Sequence, residues 1–135
     1  MSRVEFEDSL KNPVHFWNEK SSDEVGNALG NAVKNMVAFD QRNPHHCYDL
    51  FNHSLHTVDE IGNTAPVLLR VAAFFHDIGK PIVAMERQGR LVFYGHAQKS
   101  AEIAIPILEK LGYSPEEVEE ICFYIAHHDD FISWV

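Results

Sequence analysis

An apolar run that ends in two costly polar groups constrains this chain more than any other feature. The run extends from Val67 to Phe75 with Arg70 as its only polar residue, and His76 and Asp77 follow at once. Burial of an imidazole and a carboxylate is unfavourable unless a partner satisfies them. Because ordinary packing explains such a pair poorly, the segment indicates a metal-ligating pair at the end of a core helix.

Helical spacing of apolar residues in the rest of the chain predicts an all-α fold. We expect a bundle of about five or six helices that forms one domain over residues 1–135, with 1–22 as an N-terminal extension and 43–130 as the motif-bearing core. The helices are expected at about 24–39, 48–61, 66–79, 96–111 and 115–126. A loop or small hairpin is expected near 87–95, where Gln88-Gly89 signals a turn.

Local capping signals mark the starts of two of these helices. Asp23 is the expected cap of the helix that begins at about Glu24. Ser114 and Glu117 form a capping box around Pro115, which takes the first helical position. This second start is the clearest helix boundary in the chain.

The net charge of the chain limits which kinds of molecule it is expected to bind. The chain has 11 basic and 20 acidic residues, which gives a net charge of -9. A nucleic-acid-binding protein needs a basic face, so binding to nucleic acid is not expected. A small anionic substrate is compatible, because a bound metal reverses the local field. Neither an apolar stretch of about 18 residues nor a secretory signal is present, so we expect no membrane partner and a cytoplasmic location.

Nine histidines are present, and most lie in short polar clusters beside apolar segments. Four segments supply the candidate ligands, which are His53 with His56, His76 with Asp77, His96, and His127 with His128 and Asp129. Imidazole with carboxylate suits zinc, nickel, iron and manganese, and facing helices of a bundle can assemble such a site. A lone histidine is more often an ordinary polar residue, which is our interpretation of His15 and our preferred one for His45 and His46.

Four sequence motifs together resemble those of a known superfamily. "NPHHCYDLFNHSLHTVDEI", "LRVAAFFHDIGKP", "FYGHAQKSAEIA" and "IAHHDD" follow one another between Asn43 and Asp130. Their order and spacing are similar to those of the HD phosphohydrolase superfamily, named for its His-Asp pair. The resemblance is strongest to the HD domain of bacterial CCA-adding tRNA nucleotidyltransferases and their stand-alone relatives.

The resemblance implies a helical bundle around one or two divalent metal ions, which would be Mn, Fe, Ni, Co, Zn or Mg. By position, His53 matches the first histidine ligand, and His76 with Asp77 matches the central pair, in which Asp77 bridges two ions. His96, and His127 or His128, match the additional histidines of two-metal members. The last ligand of the superfamily is an aspartate, for which Asp129, Asp130 or a residue outside this chain are alternatives.

The function implied by the resemblance is metal-dependent hydrolysis of a phosphomonoester or phosphodiester of a nucleotide or similar small molecule. Asp77 and Lys80 are the expected catalytic residues, and Lys80 matches a lysine that faces substrate phosphate. Arg70 is a second candidate phosphate contact, or else it pairs with Glu60 or another acid. The candidate proton acceptors are Asp129, Asp130 and His56.

Two further expectations complete this hypothesis. The alternative function is a non-catalytic HD-fold binding or scaffold domain, or a fragment of a larger nucleotide-processing protein. An oligomer is compatible with the apolar C-terminal residues Phe131, Ile132, Trp134 and Val135, which would form an interface if exposed.

Overall fold

The computed structural model of the chain describes residues 1–42 and 48–131, with the side chain of residue 131 excepted. The interpretation of His45 and His46 lies outside the described residues, as does the proposed interface at Ile132, Trp134 and Val135. In the described part, no helix combines the length and apolar character needed to cross a membrane.

Helices dominate the described part of the chain, which confirms the predicted all-α fold. In chain order they are α1 (Arg3–Ser9), α2 (Pro13–Asn18), α3 (Ser22–Leu29), α4 (Asn31–Lys34), α5 (Leu50–Ile61), α6 (Val67–Phe75), α7 (Lys80–Val83), α8 (His96–Leu111), α9 (Pro115–Ala126) and α10 (His128–Phe131). These helices outnumber the five or six expected, because several are only one or two turns long.

The N-terminal region is divided more finely than the sequence predicts. The Ser21 hydroxyl accepts a hydrogen bond from the main chain of Glu24, and the Glu24 side chain accepts one from Ser21 in return. This capping box starts α3 two residues before the expected start, so the predicted cap at Asp23 is wrong. Gly30, with a φ of 98°, then ends α3 and begins α4, so the predicted helix over 24–39 is broken.

A hairpin and two long helices follow the central segment. Strands β1 (Met85–Arg87) and β2 (Arg90–Val92) pair in antiparallel fashion, with Met85 opposite Val92, which confirms a hairpin slightly before the expected position. Helix α8 matches the predicted bounds and continues through Pro106. Helix α9 begins with the predicted capping box at Ser114.

Helix α6 is the centre of the hydrophobic core. All of its residues from position 70 to 75 are buried, and it packs between α5 and α9. The Phe74 ring contacts the rings of Phe6, Trp17 and Phe51 at centroid distances of 5.1, 6.0 and 6.0 Å. The N-terminal segment therefore contributes to the same core that carries His76.

The contact between α1 and α9 is polar. The Arg3 guanidinium donates two hydrogen bonds to the Glu117 carboxylate, over 2.7 and 2.5 Å, and a third to Glu7. The Tyr113 hydroxyl also donates to Glu7, over 2.8 Å. These bonds link the first helix of the chain to the start of α9.

Candidate metal centre

Asp77 is fully buried and lies at the centre of a polar cluster. Its Oδ2 atom lies 3.4 Å from His53 Nε2, 3.2 Å from His76 Nε2 and 3.3 Å from Lys80 Nζ. Its Oδ1 atom lies 3.4 Å from His96 Nε2. Three imidazoles and one amine therefore converge on a single carboxylate.

The cluster contains two groups of three ligands that share Asp77. His53 and His76 complete one group, and His96 and His128 complete the other. In each group the three ligand atoms lie within 4.8 Å of one another. Helices α5, α6, α8 and α10 or their ends supply these side chains, as expected for a site built from facing helices.

Main-chain carbonyls orient three of the four histidine rings. The Nδ1 atoms of His76, His96 and His128 each face the carbonyl oxygen of the residue three positions earlier, at 2.6, 3.1 and 2.9 Å. A carbonyl only accepts, so Nδ1 is the donor in each contact. In the neutral ring Nε2 then carries the lone pair, which is the usual arrangement of a metal-ligating histidine.

The hydrogen bonding and the spacing of the buried ligand atoms indicate whether a metal ion fits. Within the described residues, both Asp77 oxygens and the His96 Nε2 atom are buried without a hydrogen-bond partner. Ligand atoms about 2.1 Å from one ion at tetrahedral or octahedral angles lie roughly 3.0–3.5 Å apart. The separations around Asp77 fall in that range, so the residues fit a divalent metal ion.

Electrostatics keep the shared carboxylate ionised. Burial alone would raise the pKa of Asp77, but the His76 and Lys80 charges and the nearby His53 ring hold it well below its usual range. Burial lowers the pKa of His76, but the Asp77 carboxylate outweighs this effect and the net shift is upward. For His96 burial dominates and the pKa is lowered, which favours the neutral ring that binds metal.

Gly79 brings α8 against the end of α6. A methyl group at Gly79 would lie 2.7 Å from the Ser100 main-chain nitrogen and 2.9 Å from the His96 carbonyl oxygen. The Gly79 main-chain nitrogen also donates to the Ser100 hydroxyl over 2.8 Å. Glycine is needed here because of this close approach and not because of its backbone conformation. Its φ of -79° is one that any residue adopts. The predicted helix over 66–79 is too long, because α6 ends at Phe75 and a turn over 76–79 leads into α7 at Lys80.

Lys80 is buried in the cluster. Its amine donates to the Gln41 side-chain oxygen over 2.7 Å and lies 5.1 Å from the centroid of the Phe93 ring. Only 8% of the residue is exposed. The amine therefore lies beside the Asp77 carboxylate, where it can contact a group bound at the ligands.

The structure separates the adjacent histidines at the end of α9. His128 is buried in the cluster, whereas His127 is exposed and its ring packs on Phe123 at a centroid distance of 4.5 Å. Of the two alternatives, the structure places His128 in a ligand group and His127 outside both groups, because α9 ends at His127 and directs the two rings differently.

The candidate acids and His56 lie outside both ligand groups. Asp129 and Asp130 are exposed, although Asp129 Oδ1 is 3.5 Å from His128 Nε2. The His56 ring stacks on Tyr48 with a centroid distance of 4.1 Å. Asp129 therefore lies at the edge of the cluster, and a final carboxylate ligand is not present in the groups formed by the described residues.

Arg70 is placed away from the ligands. Its guanidinium donates to the main-chain carbonyl of Leu10, and the residue is 5% exposed. His76 lies six positions further along the helix, which is roughly 9 Å along the axis. The structure therefore places Arg70 against the N-terminal segment, where Glu7 is the acid that acts on its charge, and not at the ligand groups.

Two residues of the site were not predicted from the sequence. Gln41 contacts Lys80 and Ser100 contacts Gly79, and both partners are distant in the chain. Neither residue belongs to a local pattern typical of a site. The motif "FYGHAQKS" contains Ser100, but nothing in its spacing indicates a contact with Gly79.

Comparisons with known proteins agree with this geometry. A model of the HD domain family matches residues 45–134, two thirds of the chain. The CC-adding tRNA nucleotidyltransferase of Thermus thermophilus is 41% identical over 68 residues, which cover 49% of this chain and 16% of that protein. The A-adding tRNA nucleotidyltransferase of Deinococcus radiodurans is 30% identical over 88 residues, which cover 62% of this chain and 20% of that protein.

The chain spans at most a fifth of the length of these curated relatives. No solved structure matches it significantly. The family match contains the His-Asp pair and all four histidines of the ligand groups. These matches confirm the resemblance seen in the sequence. The chain belongs to the HD domain family, which is part of a superfamily of metal-dependent phosphohydrolases.

Proposed function

We propose that this chain hydrolyses a phosphomonoester or phosphodiester of a nucleotide or similar small molecule in a metal-dependent reaction. The observation that carries the proposal is the sharing of Asp77 by two groups of ligands, with the Lys80 amine 3.3 Å from the same carboxylate. A buried cation beside a metal centre suits a substrate whose reacting group is an anion.

The ligands would hold a divalent ion at either group, or one at each. Such an ion supplies Lewis acidity, activates water near neutral pH and offsets negative charge on phosphate. His53 and His76 would hold one ion, His96 and His128 the other, and Asp77 would contact both. Mixed nitrogen and oxygen ligands suit Mn, Fe, Co, Ni or Zn.

The remaining side chains have separate roles in the proposed reaction. Lys80 contacts a non-bridging oxygen of the phosphoryl group and offsets the charge that develops there. Asp129 is exposed at the edge of the cluster, where its carboxylate can accept a proton from the attacking water. His56 is a less favoured acceptor, because its ring is stacked on Tyr48.

An activity panel tests the proposal. The purified chain is incubated with nucleoside mono-, di- and triphosphates, cyclic nucleotides and small phosphodiesters, each with Mn, Fe, Co, Ni, Zn or Mg. We expect hydrolysis with at least one transition metal, and its loss in Asp77→Asn and Lys80→Met. Glu60→Gln, an exposed change on α5, is the control and should remain active. Inactivity of the wild-type chain with every metal would contradict the proposal.

A non-catalytic HD-fold domain within a larger nucleotide-processing protein is the second candidate. The relatives favour this candidate, because they are named for nucleotide addition. The segment that matches this chain is at most a fifth of each relative's length. Metal-loaded but inactive wild type, with Asp77→Asn losing metal and stability, would support it. RNA is not the proposed partner, because the net charge of -9 opposes phosphate-backbone binding.

A further inference from the structure

Gln41 is a buried side chain that reaches the metal centre through Lys80. Its Oε1 atom accepts a hydrogen bond from the Lys80 amine over 2.7 Å, and only 7% of the residue is exposed. The same amine lies 3.3 Å from Asp77 Oδ2. One amine group therefore separates the Gln41 carboxamide from the shared carboxylate of the two ligand groups.

The contact with Lys80 fixes which way the carboxamide faces. An ammonium group has donors and no acceptor, so the oxygen of the carboxamide, and not its nitrogen, must face Lys80. The Nε2 atom is consequently the carboxamide atom that the amine does not engage, and it carries two N–H donors. It is buried, and it has no hydrogen-bond partner among residues 1–42 and 48–131. A buried donor without an acceptor is costly, so the site is incomplete as a purely structural arrangement.

The backbone around Gln41 is held in an unfavourable conformation. Ala38 and Arg42 have φ values of 63° and 54°, in the left-handed region that residues with a Cβ atom rarely adopt. The Asp49 carboxylate accepts from the Ala38 main chain over 2.7 Å, and the main-chain nitrogen of Leu50 donates to Phe39. Strain of this kind persists where surrounding contacts enforce it, and it concentrates at ligand sites.

The chemistry around Nε2 indicates what its missing acceptor is. A group that reaches both this donor and the Lys80 amine, beside two sets of metal ligands, must offer several oxygens and negative charge. Phosphate has these properties, and amide N–H groups bind it well. We propose that Gln41 is a phosphate-binding residue, whose Nε2 donates to a non-bridging phosphoryl oxygen while its Oε1 orients Lys80. This inference rests on the proposed function for the class of substrate.

The isosteric change Gln41→Glu separates these two contacts. Glutamate keeps an oxygen that accepts from Lys80, but it replaces the Nε2 donor with a second acceptor and a negative charge. Binding of inorganic phosphate to the Mn-loaded chain is measured by titration calorimetry, and metal content is measured on the same samples. We expect phosphate to bind about 10- to 100-fold more weakly to Gln41→Glu, with metal content unchanged. Gln98→Glu, the same change at an exposed position of α8, should bind phosphate like the wild type.

Several outcomes would overturn the inference. These are wild-type affinity in Gln41→Glu, no phosphate binding by the Mn-loaded wild type, or joint loss of metal and phosphate in the variant. If the buried carboxylate prevents folding, Gln41→Met replaces it with a neutral side chain of similar length. This change removes both contacts, and it should also weaken phosphate binding while metal content stays unchanged. Phosphate binding that depends on Gln41 in a chain that hydrolyses no substrate would remove the proposed hydrolysis and leave this inference intact.

Discussion

Gly79 and Ser100 approach so closely that the space for a single methyl group is absent between them. We expect Gly79→Ala to lower the free energy of unfolding by about 1–3 kcal/mol, because the Ser100 backbone cannot move without moving α8. The displacement also moves His96, so metal affinity should fall. Urea unfolding and metal titration measure the two effects.

Gly26→Ala is the matched control for this change. Gly26 lies inside α3, and a methyl group there meets the flexible Lys34 side chain at 3.0 Å. Stability should stay the same or rise by up to about 1 kcal/mol, because alanine favours a helix interior. Equal destabilisation by the two alanines would contradict the role given to Gly79.

Metal binding should depend on the charge of Asp77. Asp77→Asn keeps the shape of the side chain but removes the anion that both ligand groups share, so we expect metal content to fall at least about ten-fold. A transition metal at saturating concentration should raise the melting temperature of the wild type and not of the variant, because an ion stabilises only a folded protein that binds it. Asp59→Asn, on the exposed face of α5, should behave like the wild type in both measurements.

The two histidines at the end of α9 should differ in their effect on metal. His128→Gln removes a buried ligand of the second group and should lower the amount of metal bound. His127→Gln changes an exposed ring and should leave metal content unchanged. The pair controls itself, because the same substitution is made at adjacent positions. Metal loss in His127→Gln alone would show that the ligand assignment is reversed.

The Arg3–Glu117 contact should make stability depend on acid pH. The Arg3 guanidinium, through its hydrogen bonds, is the largest factor that lowers the pKa of Glu117 from 4.5 to about 2. Because the pKa is lower in the folded state, this stabilisation is complete above about pH 4.5 and is lost as the pH falls toward 2. Glu117→Gln keeps the capping box but loses the charge, so its unfolding free energy should fall less between pH 6 and pH 3. Identical pH profiles in urea unfolding would contradict this prediction.

Local patterns in the sequence predicted the parts of the fold that local contacts determine. The capping box at Ser114 fixes the start of α9 through neighbouring residues, and this prediction and the predicted bounds of α8 are both confirmed. The His-Asp pair was recognisable because two costly groups ended an apolar helix. Such features need no knowledge of distant residues.

Long-range contacts determined the parts that the sequence did not predict. Arg70 looked like a phosphate contact, but its partner is the Leu10 carbonyl, 60 residues away in the chain. Gln41 meets Lys80 across 39 positions, and no periodicity connects them. The choice between His127 and His128 depends on the backbone angles at the end of α9, which sequence spacing does not specify.

The repeated contact between histidine Nδ1 and a carbonyl three residues earlier has a consequence for metal selectivity. A half-turn of any of these rings would break that hydrogen bond and withdraw Nε2 from the centre. The side-chain conformational entropy of these ligands is therefore lost when the chain folds and not when an ion binds. A cage that is already rigid discriminates between ions by radius and donor preference. With nitrogen as the main donor, it should exclude calcium, which requires six to eight oxygen ligands at about 2.3–2.6 Å.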